Sequence, residues 1–181
     1  CPVHAPRRRT TILPRVTASA FPLGIDIGGS GIKGAPVDLA TGRFAAARQR
    51  IETPRDSTPA NVGAIVRELA QEFATTTGSS PIGITIPAVV THGVVRTAAN
   101  IDGRWIGVDA DALLSDLLGR AVTVINDADA AGIAELHFGA AKDAPGVVIV
   151  TTLGTGIGSA LLVDGRLVPN TEFGHLEIDG H

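Results

Sequence analysis

The stretch LGIDIGGSGIKG, residues 23–34, reads as a short apolar strand that stops in a glycine-rich turn and resumes as a second strand. A strand that ends in small residues lets backbone N–H groups come close to an anion, and glycine supplies the positive φ angles that such a nest needs. Gly28, Gly29, Ser30 and Gly31 are therefore candidate phosphate-binding residues. Lys33 could add positive charge, and Asp26 could hold a hydrated Mg²⁺. The spacing is not that of a Walker loop, in which a lysine is followed directly by Ser or Thr. Taken alone, it fits equally well a glycine-rich hairpin whose Asp26 bonds its own turn.

Working outward, IKGAPVDL (32–39) and RFAAARQRI (43–51), joined by Thr41 and Gly42, predict two further strands and an opening antiparallel meander. Thr58 and Pro59 form an N-cap and first-turn pair, and Val62, Ile65, Val66, Leu69 and Phe73 recur on one helical face until Gly78. This predicts a helix over 58–77 that covers a sheet. PIGITIP (81–87) reads as a buried strand and DADALLSDLLG (109–119) as a short amphipathic helix. AVTVIND (121–127) is a strand running straight into a helix that ends near His137. GVVIVTTLG (146–154) and SALLVDGRLV (159–168) then give a strand, a glycine turn and a hairpin. Strands and helices alternate, so the fold class is α/β. Residues 1–20 mix prolines and arginines with neither period and read as a disordered tail.

Composition narrows the function classes. In 181 residues, 44% of them apolar, there is enough core material for one domain or two small lobes. A formal net charge of −3 gives no overall attraction to nucleic acid, so any polyanion must be gripped locally. One cysteine, Cys1, excludes an intramolecular disulfide framework. No apolar stretch approaches the roughly 18 residues that span a bilayer, and the N-terminus lacks a signal-peptide core, so a cytoplasmic location is expected. Methionine is absent, even at position 1, which reads as a fragment.

Three more segments carry candidate chemistry. TTLGTGIGS (151–159) offers Thr152, Gly154, Thr155 and Gly156 as a second phosphate cradle after a strand; the plainer alternative is a tight turn between paired strands. Two nests together could position donor phosphates, because phosphoryl transfer is mostly orientation and charge stabilisation. VINDADAAG (124–132) places Asn126 and Asp127 where a strand meets a helix. A carboxylate there can take the proton from an attacking hydroxyl. The alternative is that Asp127 or Asp129 simply caps the helix, and the sequence does not separate capping from catalysis. PNTEFGHLEIDGH (169–181) groups Glu172, His175 and Glu177 around Gly174, planar polar groups suited to sugar hydroxyls, with Asn100 as a further contact. A polar surface loop with a solvated histidine is the alternative. His175 and His181 make a weak metal pair, since no cysteine accompanies them.

Taken in order, GIDIGGSGIKG, GITIPAVVTHGVV, AANIDGRW, INDADAAG, TTLGTGIGS and TEFGHLEIDGH resemble the ROK family of sugar kinases and regulators over residues 21–181. Within it, IPAVVTHGVVRTAAN and LVPNTEFGHLE are similar to the polyphosphate glucokinases. The resemblance implies an actin-like, hexokinase-type (ribonuclease H-like) two-lobed α/β fold, with a small lobe over 21–125 and a large lobe that begins at 126 and is truncated at 181. It implies Asp127 as the base, Asn126, Asn100, Glu172, His175 and Glu177 as sugar contacts, and Asp26 with the following glycines as the first phosphate loop. Gly154, Thr155 and Gly156 match the second. The implied reaction moves a phosphoryl group from polyphosphate or ATP, with Mg²⁺, to the 6-hydroxyl of glucose or of mannose, in a homodimer with no nucleic-acid or membrane partner. Many members carry a zinc-binding cysteine cluster after the GH motif; without it, zinc is not expected here. The 20 residues before Phe21 are too few and too proline-rich for the helix-turn-helix of a ROK sugar-sensing regulator. GHLE and NDADA argue against an actin-like filament ATPase, which needs no sugar site. Family members continue beyond this length, so the 181-residue piece alone is expected to be inactive.

Overall fold

In the computed structural model, residues 21–154 and 156–176 are described. The opening segment forms β1 (Leu23–Ile27) and β2 (Ile32–Asp38), paired antiparallel with Asp26 opposite Lys33. Alternation sends Leu23, Ile25 and Ile27 to a buried face and Gly24 and Asp26 to the other. The single strand expected over 43–51 is two short ones, β3 (Arg43–Phe44) and β4 (Gln49–Ile51), both paired with β2. Pro36 lies between the two pairings and has no N–H to donate, so the ladder cannot run through it.

Helix α1 (Pro59–Glu72) begins as expected, with the Thr58 hydroxyl accepting from the Asn61 N–H at 3.1 Å. Its inward stripe of Val62, Val66 and Leu69 is fully buried. The expected continuous helix over 58–77 is broken at Phe73, and a separate turn, α2 (Ala74–Thr77), follows before Gly78 ends it at a φ of 51°. Three threonines in a row, stiff at χ1, are poor helix formers, and the Phe73 carbonyl collects the N–H groups of Thr76 and Thr77 instead.

The chain then adds β5 (Ile82–Ile86), parallel to β1, and a small hairpin of β6 (Val90–Thr91) and β7 (Val94–Val95). Helix α3 (Ala110–Leu118) follows, capped by Asp109. Then β8 (Val122–Asn126) pairs parallel with β5, so the main sheet runs β3-β2-β1-β5-β8 with β4 also on β2. Helices α1 and α3 share one face of it, around a core that includes Ile84, Ile86, Val124, Leu114 and Trp105. Parallel strands joined through helices are the arrangement that α/β alternation predicts.

From Asn126 the chain passes directly into α4 (Asp127–Phe138), then into an antiparallel sheet of β9 (Val147–Leu153), β10 (Ile157–Val163) and β11 (Arg166–Val168). Helix α4 lies against β10 so closely that a Cβ at Gly132 would sit 2.6 Å from the Ala160 Cβ. Gly132→Ala is accordingly expected to lower the melting temperature. Overpacking at a rigid contact costs about 2 kcal/mol and outweighs the roughly 1 kcal/mol of helix propensity that alanine adds. Ala160→Gly in the same molecule should restore most of the loss, which thermal unfolding of the wild type and the two variants would read. The opposite face of this sheet is covered at Ser159 and otherwise largely bare: Val147, Ile149, Leu153 and Ile157 are 56–82% exposed. Among the described residues, no helix is long and apolar enough to cross a membrane.

Candidate active site

The junction of β8 and α4 is built around Asn126, which is 5% exposed. Its Oδ1 accepts from the Asp129 N–H at 3.0 Å, which makes Asn126 the N-cap of α4. Its Nδ2 donates to the Ala88 carbonyl at 3.2 Å and to Glu172 Oε1 at 3.3 Å. Neither Asp127 nor Asp129, the two candidates from the sequence, is the cap. Asp127 is the first helical residue, and its Oδ1 accepts from the Ala128 N–H at 2.9 Å. Burial pushes the Asp127 carboxyl above the ordinary carboxylate range, and the negative charge of Asp26 adds to this; the N–H of Ala128 pulls the other way. A half-buried carboxylate held this way accepts a proton more readily than one in water.

Around the first glycine turn, the Gly28 N–H bonds the Gly31 carbonyl at 3.1 Å, the Thr53 hydroxyl donates to the Gly28 carbonyl at 2.5 Å, and Arg50 donates to the Ser30 carbonyl at 2.7 Å. The guanidinium lies flat against Gly31, where a Cβ would come within 2.6 Å of Nε. Gly29 stands beside Asn100, its absent Cβ 3.7 Å from the Asn100 carbonyl oxygen. Asp26 accepts from the Thr85 hydroxyl at 2.8 Å and pairs with Lys33 at 3.2 Å, so the lysine lies against this carboxylate rather than over the turn.

In the second glycine turn the Gly154 N–H bonds the Gly156 carbonyl at 3.0 Å, and a Cβ at either glycine would meet nothing within 4 Å among the described residues. Thr152 points elsewhere: its hydroxyl oxygen crowds Gly158 from the neighbouring strand. The loop after β11 is pinned to β10. Ser159 donates to the Thr171 carbonyl and accepts from the Phe173 N–H at 2.9 Å, while the Leu161 N–H donates to Thr171 Oγ1 at 3.1 Å. Thr155 and Glu177 lie outside the described residues, as do the tail over 1–20 and His181. His175 ends a short 3-10 turn, Phe173–His175, and only its backbone is described.

These pieces meet at a cleft of about 100 Å³ whose walls include Asn100, Asn126, Asp127, Gly156 and Glu172. The structure thus gathers the candidate base, three candidate sugar contacts and the second glycine turn. Asp26 and Lys33 border a different, larger cavity of about 510 Å³ on the open face of the main sheet. Its walls are mostly aliphatic, from Val37, Leu39, Ile125 and Ile133, and offer little to orient a polyhydroxy ligand. Sequence reasoning did not single out Thr85, Arg50, Thr53 or Asn170. Thr85 carried a signal, a hydroxyl in an otherwise apolar strand, but its meaning depends on the register that places it opposite Asp26.

Comparison with known proteins gives the chain its relatives. The model of the ROK family matches residues 22–181. A polyphosphate glucokinase of Mycobacterium tuberculosis is 51% identical over 172 residues, which are 94% of this chain and 64% of that protein. The crystal structure of inorganic polyphosphate/ATP-glucomannokinase from Arthrobacter sp. strain KM superposes with a TM-score of 0.86 at 52% identity, covering 90% of this chain and 66% of that one. A ROK family glucokinase from Streptomyces griseus, solved with glucose and AMPPNP, gives 0.78 at 28% identity over 88% of this chain and 51% of its own. The chain therefore spans just under two thirds of the curated relative it matches.

Proposed function

The chain belongs to the ROK family, and on that premise we propose that the whole protein is a sugar kinase that transfers a phosphoryl group from inorganic polyphosphate, and from ATP, to the 6-hydroxyl of glucose. Its fold is the mixed α/β, actin-like and hexokinase-type fold of ROK sugar kinases. In this reading residues 21–125 form the small lobe, residue 126 begins the large one, and the protein acts in the cytoplasm as a homodimer.

The observation that carries the proposal is the cleft in which Asp127 stands among Asn100, Asn126 and Glu172 beside Gly156. Asp127 takes the proton from O6 of glucose as that oxygen forms a bond to the terminal phosphorus of the donor. The bond from that phosphorus to the bridging oxygen breaks, and the electron pair leaves with ADP or with a polyphosphate shorter by one unit. Asn100 and Glu172 orient the sugar, with His175 and Glu177 completing the set. Gly28 to Gly31 and Gly154 to Gly156 receive donor phosphates on backbone N–H groups.

Asp26 fits a role at Mg²⁺. Its carboxylate is about half exposed, and each oxygen has one polar partner, which leaves lone pairs for a hydrated ion. On this reading the ion arrives with the donor phosphates and meets Asp26 there. When bound it would neutralise charge building on the transferred group.

The test is a comparison of initial rates in the whole protein, with polyphosphate or ATP as donor and glucose or mannose as acceptor. Glucose 6-phosphate from glucose and polyphosphate is the expected product. Failure to form it with either donor would overturn the proposal.

A further inference from the structure

We propose that Asp129 and Asn170 are positioning residues for the sugar, fixing Glu172 in place over the base; this rests on the sugar-kinase reading above. Asp129 is 3% exposed and stands two positions beyond Asp127, yet it does not itself line the cleft. Its Oδ2 accepts from the Asn170 N–H at 2.8 Å, and its Oδ1, equally buried, has no hydrogen-bond partner among the described residues. A buried carboxylate oxygen without a partner is costly. A surface loop could be anchored with a cheaper group, so the placement asks for a role.

That role lies in what Asn170 does next. Its side chain imitates a strand partner for β6, with Oδ1 accepting from the Val90 N–H at 3.0 Å and Nδ2 donating to the Val90 carbonyl at 2.9 Å. It holds this clamp from a left-handed backbone, φ 59°, that asparagine tolerates better than most residues. Two residues on, Glu172 Oε1 meets Asn126 Nδ2, and Asn126 Oδ1 returns to the Asp129 N–H. The contacts close a ring: Asn126 to Asp129, Asp129 to Asn170, along the chain to Glu172, and back to Asn126. Three separate segments, the start of α4, the loop after β11 and the β6–β7 hairpin, are fixed to one another by this ring. The distance between Glu172 and Asp127 is thereby set by Asp129, which itself stays out of the cleft. Reacting groups misplaced by about 1 Å can cost on the order of 100-fold in rate, which gives such a ring functional value.

Steady-state kinetics on the whole protein, with glucose and polyphosphate, test this. Asp129→Ala is expected to raise the glucose KM by about tenfold or more, while the polyphosphate KM stays within about twofold. Asp129→Asn keeps an oxygen to accept from Asn170 and should hold the glucose KM near the wild-type value. Hydrogen exchange of the loop over 169–173 should quicken in the alanine variant and not in the asparagine variant. An unchanged glucose KM in Asp129→Ala, an equal rise in both KM values, or an asparagine variant as impaired as the alanine one would each overturn the proposal. If Asp129→Ala does not fold, Asn170→Gly decides: it keeps the left-handed backbone and the N–H to Asp129 but loses both bonds to Val90. A raised glucose KM with an unmoved donor KM supports the ring there, and an unmoved glucose KM refutes it. A wild-type protein that turns over no glucose would instead remove the sugar-kinase reading, and this proposal with it.

Discussion

Asp127→Asn in the whole protein is expected to lower kcat by about 10²- to 10⁴-fold, the range that a positioned general base contributes, while glucose affinity stays within a few fold of wild type. The substitution is nearly isosteric, and its amide oxygen can still accept from the Ala128 N–H as Asp127 Oδ1 does. What it loses is the capacity to take a proton. The wild-type pH profile carries the same information. As the proposed base Asp127 would have to be ionised, so kcat is expected to fall as the pH drops through its pKa, and burial with the Asp26 charge nearby raises that acid limb from the ordinary carboxylate value. The asparagine variant should show no such limb in its residual rate. Full turnover in that variant, measured beside glucose binding by calorimetry, would remove Asp127 from the role of base.

The second large effect is expected at Gly174. A Cβ there would stand 1.9 Å from the Ile157 carbonyl oxygen and 2.8 Å from its carbon, both backbone atoms that cannot swing aside as a side chain could. Gly174→Ala must therefore push the short 3-10 turn away from β10 just where that strand leaves the second glycine turn. A stability loss of about 3 kcal/mol is expected, at the upper end for overpacking, together with weaker binding of glucose and of the phosphate donor. Gly154→Ala is the control in the same neighbourhood, since a Cβ at that position meets nothing within 4 Å among the described residues. Thermal unfolding and glucose binding of the two variants should diverge sharply; matching behaviour would show that the close approach at Gly174 is not what constrains it.

Much of this was legible in the sequence because it rested on local rules. The Thr58 cap, the buried stripe of α1, the glycine that ends α2, and the strand that runs into α4 all follow from periodicity and capping. The cap of α4 was harder. Asn126, Asp127 and Asp129 are all good capping residues, and only the backbone turn at φ −60°, ψ 146° assigns the position to Asn126. The β6–β7 hairpin was missed because its turn uses His92 and Gly93, both at positive φ, where an asparagine or aspartate would have announced it. The anchoring of the loop over 169–173 was not legible at all. Asn170 and Asp129 are 41 positions apart, and nothing in either segment alone tells that they meet.

The largely bare side of the three-stranded sheet has a thermodynamic meaning of its own. Read along the chain, Val147, Ile149, Leu153 and Ile157 look like the makings of a core. Yet side chains that stay 56–82% exposed in the native state contribute only in proportion to the part that is dry, both to holding the fold and to the heat-capacity change by which burial is recognised. Within this chain, β9 is therefore held by its ladder to β10 and by the one face that meets α4. Hydropathy counts what a strand could bury; only the fold says how much of it is dry.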